Sequence, residues 1–130
     1  MTEKDKKLSS LKKELNIEKD LRLLAYKCYE VLDKASKDFS RAKHIVFDEL
    51  RNLADCLFMM RKNWVNFENW GNEFLRHLNL FNFHIRLIFD SSRNGAISGS
   101  GMSEITELSG SLGGQIVGWI KSGIKSDQKL

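Results

Sequence analysis

The stretch "LNLFNFHIRLIF", Leu78 to Phe89, decides the fold class because apolar and polar residues alternate along most of it. As a strand, the alternation would give one apolar and one polar face. Turned at about 100° per residue, as in an α-helix, the same residues form two apolar stripes. The rest of the chain has no second strand pattern and no hairpin turn to pair with it. The stretch therefore predicts a helix, over about 69–90.

The two stripes of this helix have different predicted roles. A bundle core takes one stripe from each helix, and here that stripe is Leu78, Phe81, Ile85, Ile88 and Phe89. The opposite stripe is surplus, with Trp64, Phe67 and Trp70 nearby, and a surplus apolar face marks an interface. We therefore expect a homo-oligomer whose interface contains Leu80, Phe83 and Leu87.

Three further helices follow from apolar residues spaced by three and four. The first, about 17–37, carries Leu21, Leu24, Cys28, Val31 and Ala35. The second, about 44–63, follows the polar break "KDFSRAK" and is indicated by an apolar series from Val46 to Trp64. The fourth, about 103–123, follows the linker "SSRNGAISGSG", with Ser103 as the expected N-cap. Four helices with short connections predict an all-α fold, an antiparallel up-down-up-down four-helix bundle.

The bundle is expected to span 17–124. A charged extension, flexible or helical, covers 1–16, and a C-terminal tail covers 125–130. Glycine recurs every four residues in the fourth helix, at Gly110, Gly114 and Gly118. Each costs about 1 kcal/mol against alanine, so we expect close helix packing along this ridge; the alternative is a weak, fraying helix.

Composition indicates a globular protein with a mild basic bias, since 42% of residues are hydrophobic and 29% are charged. The net charge is +4, and residues 21–62 hold nine Lys/Arg against six Asp/Glu. This excess favours nucleic acid or another polyanion as partner, although a solvated surface gives the same count. No run approaches the roughly 20 apolar residues of a membrane span, and the charged start lacks a secretory pattern. We expect a cytoplasmic protein.

Catalytic arrangements are absent from the sequence, so we expect no enzyme activity, cofactor or metal. Glu73 and His77 have the i, i+4 spacing that can bridge a metal, but di-iron bundles need such motifs on two helices. A hydrogen-bonded surface pair is the simpler interpretation. Cys28 and Cys56 lie inside apolar helical patterns, which predicts buried, reduced thiols.

With the helices placed, two strings resemble a known family. They are "FSRAK…LRNLADCL", Phe39 to Leu57, and "LSGSLGGQIVGWIKS", Leu108 to Ser122, whose most specific part is "QIVGWIKS". The family is the four-helix-bundle group that includes the accessory variability determinant proteins of diversity-generating retroelements. Its relatives are encoded in intervening sequences of bacterial large-subunit rRNA genes. One departure is Ser40, which follows Phe39 where the family often has proline.

The resemblance implies a non-enzymatic partner of a reverse transcriptase. Accessory proteins of this kind form basic homopentamers that bind the polymerase and the template, RNA or DNA, and support mutagenic cDNA synthesis. Two alternatives stay open. One is the rRNA-associated branch of the family, whose role is undefined, and the other is a purely structural oligomeric interaction module.

The basic residues of the bundle are expected at its two ends. In an up-down bundle the start of the first helix shares one end with the ends of the second and fourth. We expect nucleic acid to bind there, through Arg22, Arg61, Lys62, Lys121 and Lys125. At the opposite end, acidic residues dilute the basic ones, which are Lys34, Lys37, Arg41, Lys43 and Arg93.

Overall fold

Four α-helices and one 3-10 helix form the computed structural model, which describes residues 2–33, 40–91 and 97–127, without the side chains of 6–15, 64, 91 and 124–127. In chain order they are α1 (Glu3–Leu32), α2 (Ser40–Lys62), the 3-10 helix (Trp64–Asn66), α3 (Phe67–Ser91) and α4 (Gly99–Asp127). No strand occurs in these ranges, so the all-α prediction is confirmed. Nor does any helix there have the length and apolar character that a bilayer crossing requires.

The first two helices are placed differently from their predicted bounds. α1 begins at Glu3, and Thr2 and Asp5 form a capping box at this end. Residues 3–16 of the charged extension are therefore the first part of α1. The helix ends at Leu32, and predicted positions 34–37 lie outside the described residues. α2 begins at Ser40 instead of 44. The polar string "SRAK" has no apolar spacing to indicate a helix, yet Arg, Ala and Lys are good helix formers.

The start of α4 also corrects the sequence prediction. The helix begins at Gly99, and the Ser98 hydroxyl accepts a hydrogen bond from the Gly101 amide over 3.0 Å. Ser98 is therefore the N-cap, while Ser103 lies inside the helix. The glycines on either side of Ser100 belong to the helix and not to the linker. A capped first turn accommodates them despite their low helix propensity.

Burial separates the two apolar stripes of α3 as predicted. Leu78, Phe81, Ile85 and Ile88 are buried in the core. On the other stripe Leu80 is half-buried, while Phe83 is 61% and Leu87 46% exposed. The alternating stretch is therefore a helix with one core face and one apolar surface.

Phe67, which the sequence pattern grouped with the surplus stripe of α3, lies in the core instead. Its ring is buried and meets Trp119 edge-on, with ring centroids 4.8 Å apart. Trp70 is partly buried against the same core. Both therefore belong to the interior and not to the surface stripe of α3.

Neighbouring helices are joined by a few specific polar contacts as well as by the core. α3 contacts both α2 and α4, and α1 contacts α4. The Gln115 amide donates to Asp20 over 2.5 Å, and Lys27 pairs with Glu104 at 2.5 Å. Later residues of α1 thus meet earlier residues of α4. The contact between α1 and α2 is the sparsest of these pairings.

The glycine ridge of α4 does not pack against another helix of the chain, contrary to prediction. Gly110 and Gly114 are exposed, Gly118 is half-buried, and a Cβ atom on any of them would meet open space. Close packing occurs instead at Gly71 and Gly123. A Cβ on Gly71 would lie 2.6 Å from Ile120 Cδ1, and one on Gly123 would lie 2.5 Å from Phe67 Cε1.

Candidate nucleic-acid interface

Two of the predicted basic residues meet at one carboxylate. Arg22 donates to Glu18 Oε1 over 2.6 Å within α1, and Arg61 donates to Glu18 Oε2 over 3.1 Å from the last turn of α2. The i, i+4 spacing places Glu18 beside Arg22. Two guanidinium groups from different helices are therefore held within reach of one anion.

Lys62 extends this basic group by one residue. Its ammonium lies 5.1 Å from the ring centroid of Phe58, which is 56% exposed. Cations in the last turn of a helix also interact favourably with the negative end of its dipole. Arg61 and Lys62 are thus explained in part by the stability of α2, independently of any ligand.

The remaining predicted basic residues are on α4. Lys121 is exposed, and it lies beyond Gln115, the residue that contacts Asp20. The side chain of Lys125 lies outside the described residues. The structure therefore brings Arg22, Arg61 and Lys62 into one surface, whereas no described contact joins Lys121 to them.

A shallow groove separates α1 from α2 beside this basic group. We call it the α1–α2 groove, and its lining residues are Glu18, Leu21, Arg22, Ala25, Leu50, Ala54, Leu57, Phe58 and Arg61. Glu18 and Arg61 bridge the helices at one end, and Tyr29 stacks on Phe47 farther along, with centroids 4.9 Å apart. Small alanine side chains between these bridges leave the helices open to solvent.

Aromatic side chains at this surface were not predicted from the sequence. Tyr26, 72% exposed, lines a second depression together with Lys19, Arg22 and Leu23. That depression meets the α1–α2 groove, because Glu18 and Arg22 line both. The available signal was the i, i+4 spacing of Arg22 with Tyr26 and of Phe58 with Lys62. Such spacing is weak evidence, because most aromatic residues in helices of this kind belong to the core.

A second polar cluster joins α2 to α3 through His77 and Glu49. His77 Nδ1 lies 2.6 Å from Glu49 Oε2, with both side chains largely buried. Glu73 lies 3.8 Å from His77 Nε2, and it accepts hydrogen bonds from Arg76, which keep the pKa of the Glu73 carboxyl below its usual value. Among the described residues, no group of three His, Cys, Asp or Glu is placed to hold a metal ion.

Both cysteines are buried free thiols, as predicted. Burial raises the pKa of Cys28 to about 12. Burial, together with the charge of Glu73 and Asp55, raises the pKa of Cys56 to about 11. Thiols with such pKa values stay protonated near neutral pH and are poor nucleophiles.

Comparison with known proteins adds no assignment to these observations. The chain matches no family model, no curated protein and no solved structure. The resemblance carried by residues 39–57 and 108–122 therefore stays a prediction from the sequence.

Proposed function

We propose that this chain is a non-catalytic accessory protein of a diversity-generating retroelement, which binds template nucleic acid and the reverse transcriptase and so supports mutagenic cDNA synthesis. The observation that carries the proposal is the meeting of Arg22 and Arg61 at the Glu18 carboxylate. A guanidinium fork suits phosphate as well as carboxylate. A template phosphate is therefore a chemically suitable replacement for Glu18.

Binding of this kind uses the nucleic-acid backbone and does not read the sequence. Arg22, Arg61 and Lys62 supply the first phosphate contacts, and Lys121 and Lys125 extend them along α4. Each contact releases condensed counterions, so the affinity falls with increasing salt. The net charge of +4 agrees with a polyanionic partner.

The proposed assembly is a homopentamer of antiparallel up-down-up-down four-helix bundles. The Glu18 to Arg61 contact and the Gln115 to Asp20 contact support the helix directions. The exposed apolar stripe of Leu80, Phe83 and Leu87 supports an interface between protomers. Symmetry would then repeat the arginine pair on every protomer, and the number of bound phosphates would rise accordingly.

The reverse transcriptase enters the proposal through the sequence resemblance. The same resemblance covers the rRNA-associated branch, in which the bundle would serve another role. Both branches place the protein in the cytoplasm, with its template. Co-purification with the reverse transcriptase encoded beside the gene distinguishes them, since only the retroelement protein should retain it.

A structural oligomeric module is the second candidate. The observation that favours it is the pairing of both arginines with Glu18, which lowers the local positive charge while the α3 stripe stays exposed. Such a protein would assemble through α3 and bind no nucleic acid.

Fluorescence anisotropy with labelled RNA and DNA oligonucleotides tests the proposal. The variant Arg22→Gln/Arg61→Gln/Lys62→Gln should bind much more weakly than the wild type. The control is Arg41→Gln/Lys43→Gln, which removes two positive charges at the start of α2 and should bind nearly normally. If the wild type binds neither oligonucleotide at moderate salt, the structural module is the better account.

A further inference from the structure

We infer that the α1–α2 groove and the depression beside it bind single-stranded nucleic acid in preference to duplex, with Phe58 in the groove and Tyr26 in the depression stacking on unpaired bases while neighbouring cations bind the phosphates. This inference rests on the proposed function and names the form of nucleic acid that its basic surface takes. It also assigns a role to aromatic residues that neither the core nor the α3 stripe uses.

The first observation is the exposure of aromatic rings at this surface. Phe58 and Tyr26 leave more than half of their surface in water. Neither belongs to the buried core or to the residues packed against it. Each exposed ring lines a groove or depression that Arg22 also lines, and both rings are therefore available to a ligand.

The second observation is that each ring lies beside cations. Phe58 is three residues from Arg61 and four from Lys62, whose ammonium already lies over the ring. Tyr26 shares its depression with Lys19 and Arg22. A ring beside a cation suits a nucleotide, because the base stacks on the aromatic face and the phosphate pairs with the cation.

The third observation is the open space between α1 and α2. The groove has an apolar floor of Leu21, Leu50 and Leu57 and a rim with Arg22 and Arg61. An unstacked base fits an apolar floor, whereas the bases of a duplex are already stacked and paired. A duplex can use only the rim, so it should bind through charge alone.

The charges at the groove also favour a polyanion over an amphipathic protein helix. Glu18 is the one carboxylate among the lining residues described for the groove, and both arginines hold it. Lys19 and Lys62 add positive charge at the edges. A protein segment without acidic groups would bring no negative charge to Lys19 and Lys62.

The test compares a labelled single-stranded oligonucleotide with a hairpin duplex of related sequence by fluorescence anisotropy at one fixed salt concentration. The variant Tyr26→Leu/Phe58→Leu keeps apolar side chains but removes both rings. We expect the affinity for the single strand to fall by about tenfold or more, with the duplex affinity within twofold of wild type. Phe58→Trp should keep the single-strand affinity. Val65→Ala, a change at a 92% exposed apolar residue, should alter neither.

Unchanged single-strand binding by the double variant, or an equal loss for both probes, would overturn the inference. A lower mass of the Tyr26→Leu/Phe58→Leu variant than of the wild type in light scattering would also overturn it, because the groove would then be an interface between copies. If Arg61→Gln/Lys62→Gln weakened the binding of both probes and the aromatic changes had no effect, the stacking inference would be wrong while the proposed nucleic-acid binding would stand. If the cation variant also bound both probes normally, the proposed function itself would fail.

Discussion

Glu18 on α1 and Arg61 on α2 form an ion pair between helices, with the guanidinium Nη1 3.1 Å from the carboxylate Oε2. It joins α1 and α2, which have fewer close backbone contacts than the pairs α2–α3, α1–α4 and α3–α4. Arg22 binds the other oxygen of the same carboxylate. The carboxylate therefore takes the position that a phosphate would take in the proposed complex.

Replacement of Glu18 by glutamine should strengthen nucleic-acid binding. The change removes the negative charge that competes with phosphate for Arg22 and Arg61. We expect a several-fold rise in affinity by anisotropy, with a stability change of at most about 1 kcal/mol, as is usual for partly exposed ion pairs.

Glu30→Gln is the matched control for Glu18, because it alters the net charge equally at an exposed position on α1. It should raise the affinity less. If Glu18→Gln weakened binding instead, Glu18 would be needed to position the arginines, and its proposed competition with phosphate would be wrong.

Two alanine substitutions in α4 should have opposite effects on stability. Gly114→Ala adds a methyl group in open space and should stabilise the helix by up to about 1 kcal/mol. Gly123→Ala brings a Cβ to 2.5 Å from the Phe67 ring, which is held against Trp119. We expect a net destabilisation, because overpacking costs about 1–3 kcal/mol.

Urea unfolding measures both glycine variants. Equal effects of the two substitutions would show that backbone propensity alone decides them. A lower oligomer mass for Gly114→Ala would instead show that the ridge packs between protomers.

Polar substitutions on the exposed stripe of α3 should separate the protomers. Leu80→Gln/Phe83→Gln removes the apolar surface without touching the buried stripe. Helical circular dichroism should stay near the wild-type value while the mass from light scattering falls. Val65→Gln is the control on another exposed apolar residue. An unchanged mass for the double variant would place the interface elsewhere.

The buried thiol of Cys28 should make the fold less stable at alkaline pH. Its pKa rises from 9.0 to about 12 on burial, so only the unfolded chain ionises between these values. The contribution of the protonated Cys28 thiol to the free energy of unfolding is therefore complete below pH 9.0 and is lost as the pH rises from 9.0 to about 12. The loss is at most about 1.4 kcal/mol per pH unit.

The free energy of unfolding of the wild type and Cys28→Ala, measured from pH 8 to 10, checks this. Alanine costs stability at every pH because it leaves a cavity, but its curve should fall less steeply. Parallel curves would mean that the Cys28 thiol does not contribute to the pH dependence.

Spacing of apolar residues predicted which side chains are buried, because a helix must turn one stripe inward. The stripe from Leu78 to Ile88 and the buried cysteines follow from it. Helix ends were less predictable. Polar residues extend α2 back to Ser40, and the Ser98 cap starts α4 at Gly99, before the predicted start at 103. The predicted close packing at the glycines of α4 was wrong for another reason. Spacing places residues on one face of a helix, but it does not say which face meets a neighbour.

The candidate interface was predictable only in part. The predicted antiparallel order of the helices brought Arg22 near Arg61, because the end of α2 then lies beside the middle part of α1. The shared partner Glu18 and the stacking of Tyr29 on Phe47 depend on the distance between helices. So does the groove that Ala25 and Ala54 leave open. A single sequence contains no direct signal for that distance.

The salt dependence of nucleic-acid binding tests the central claim most directly. The logarithm of the association constant, plotted against the logarithm of salt concentration, should fall linearly for the wild type. Arg61→Gln/Lys62→Gln should lower the affinity and make the slope shallower by roughly 0.7 for each single-strand phosphate that the variant no longer binds, whereas Arg41→Gln/Lys43→Gln should leave the slope nearly unchanged. A slope identical in all three proteins, or a larger effect from Arg41 and Lys43, would contradict phosphate binding beside Glu18 and Arg61.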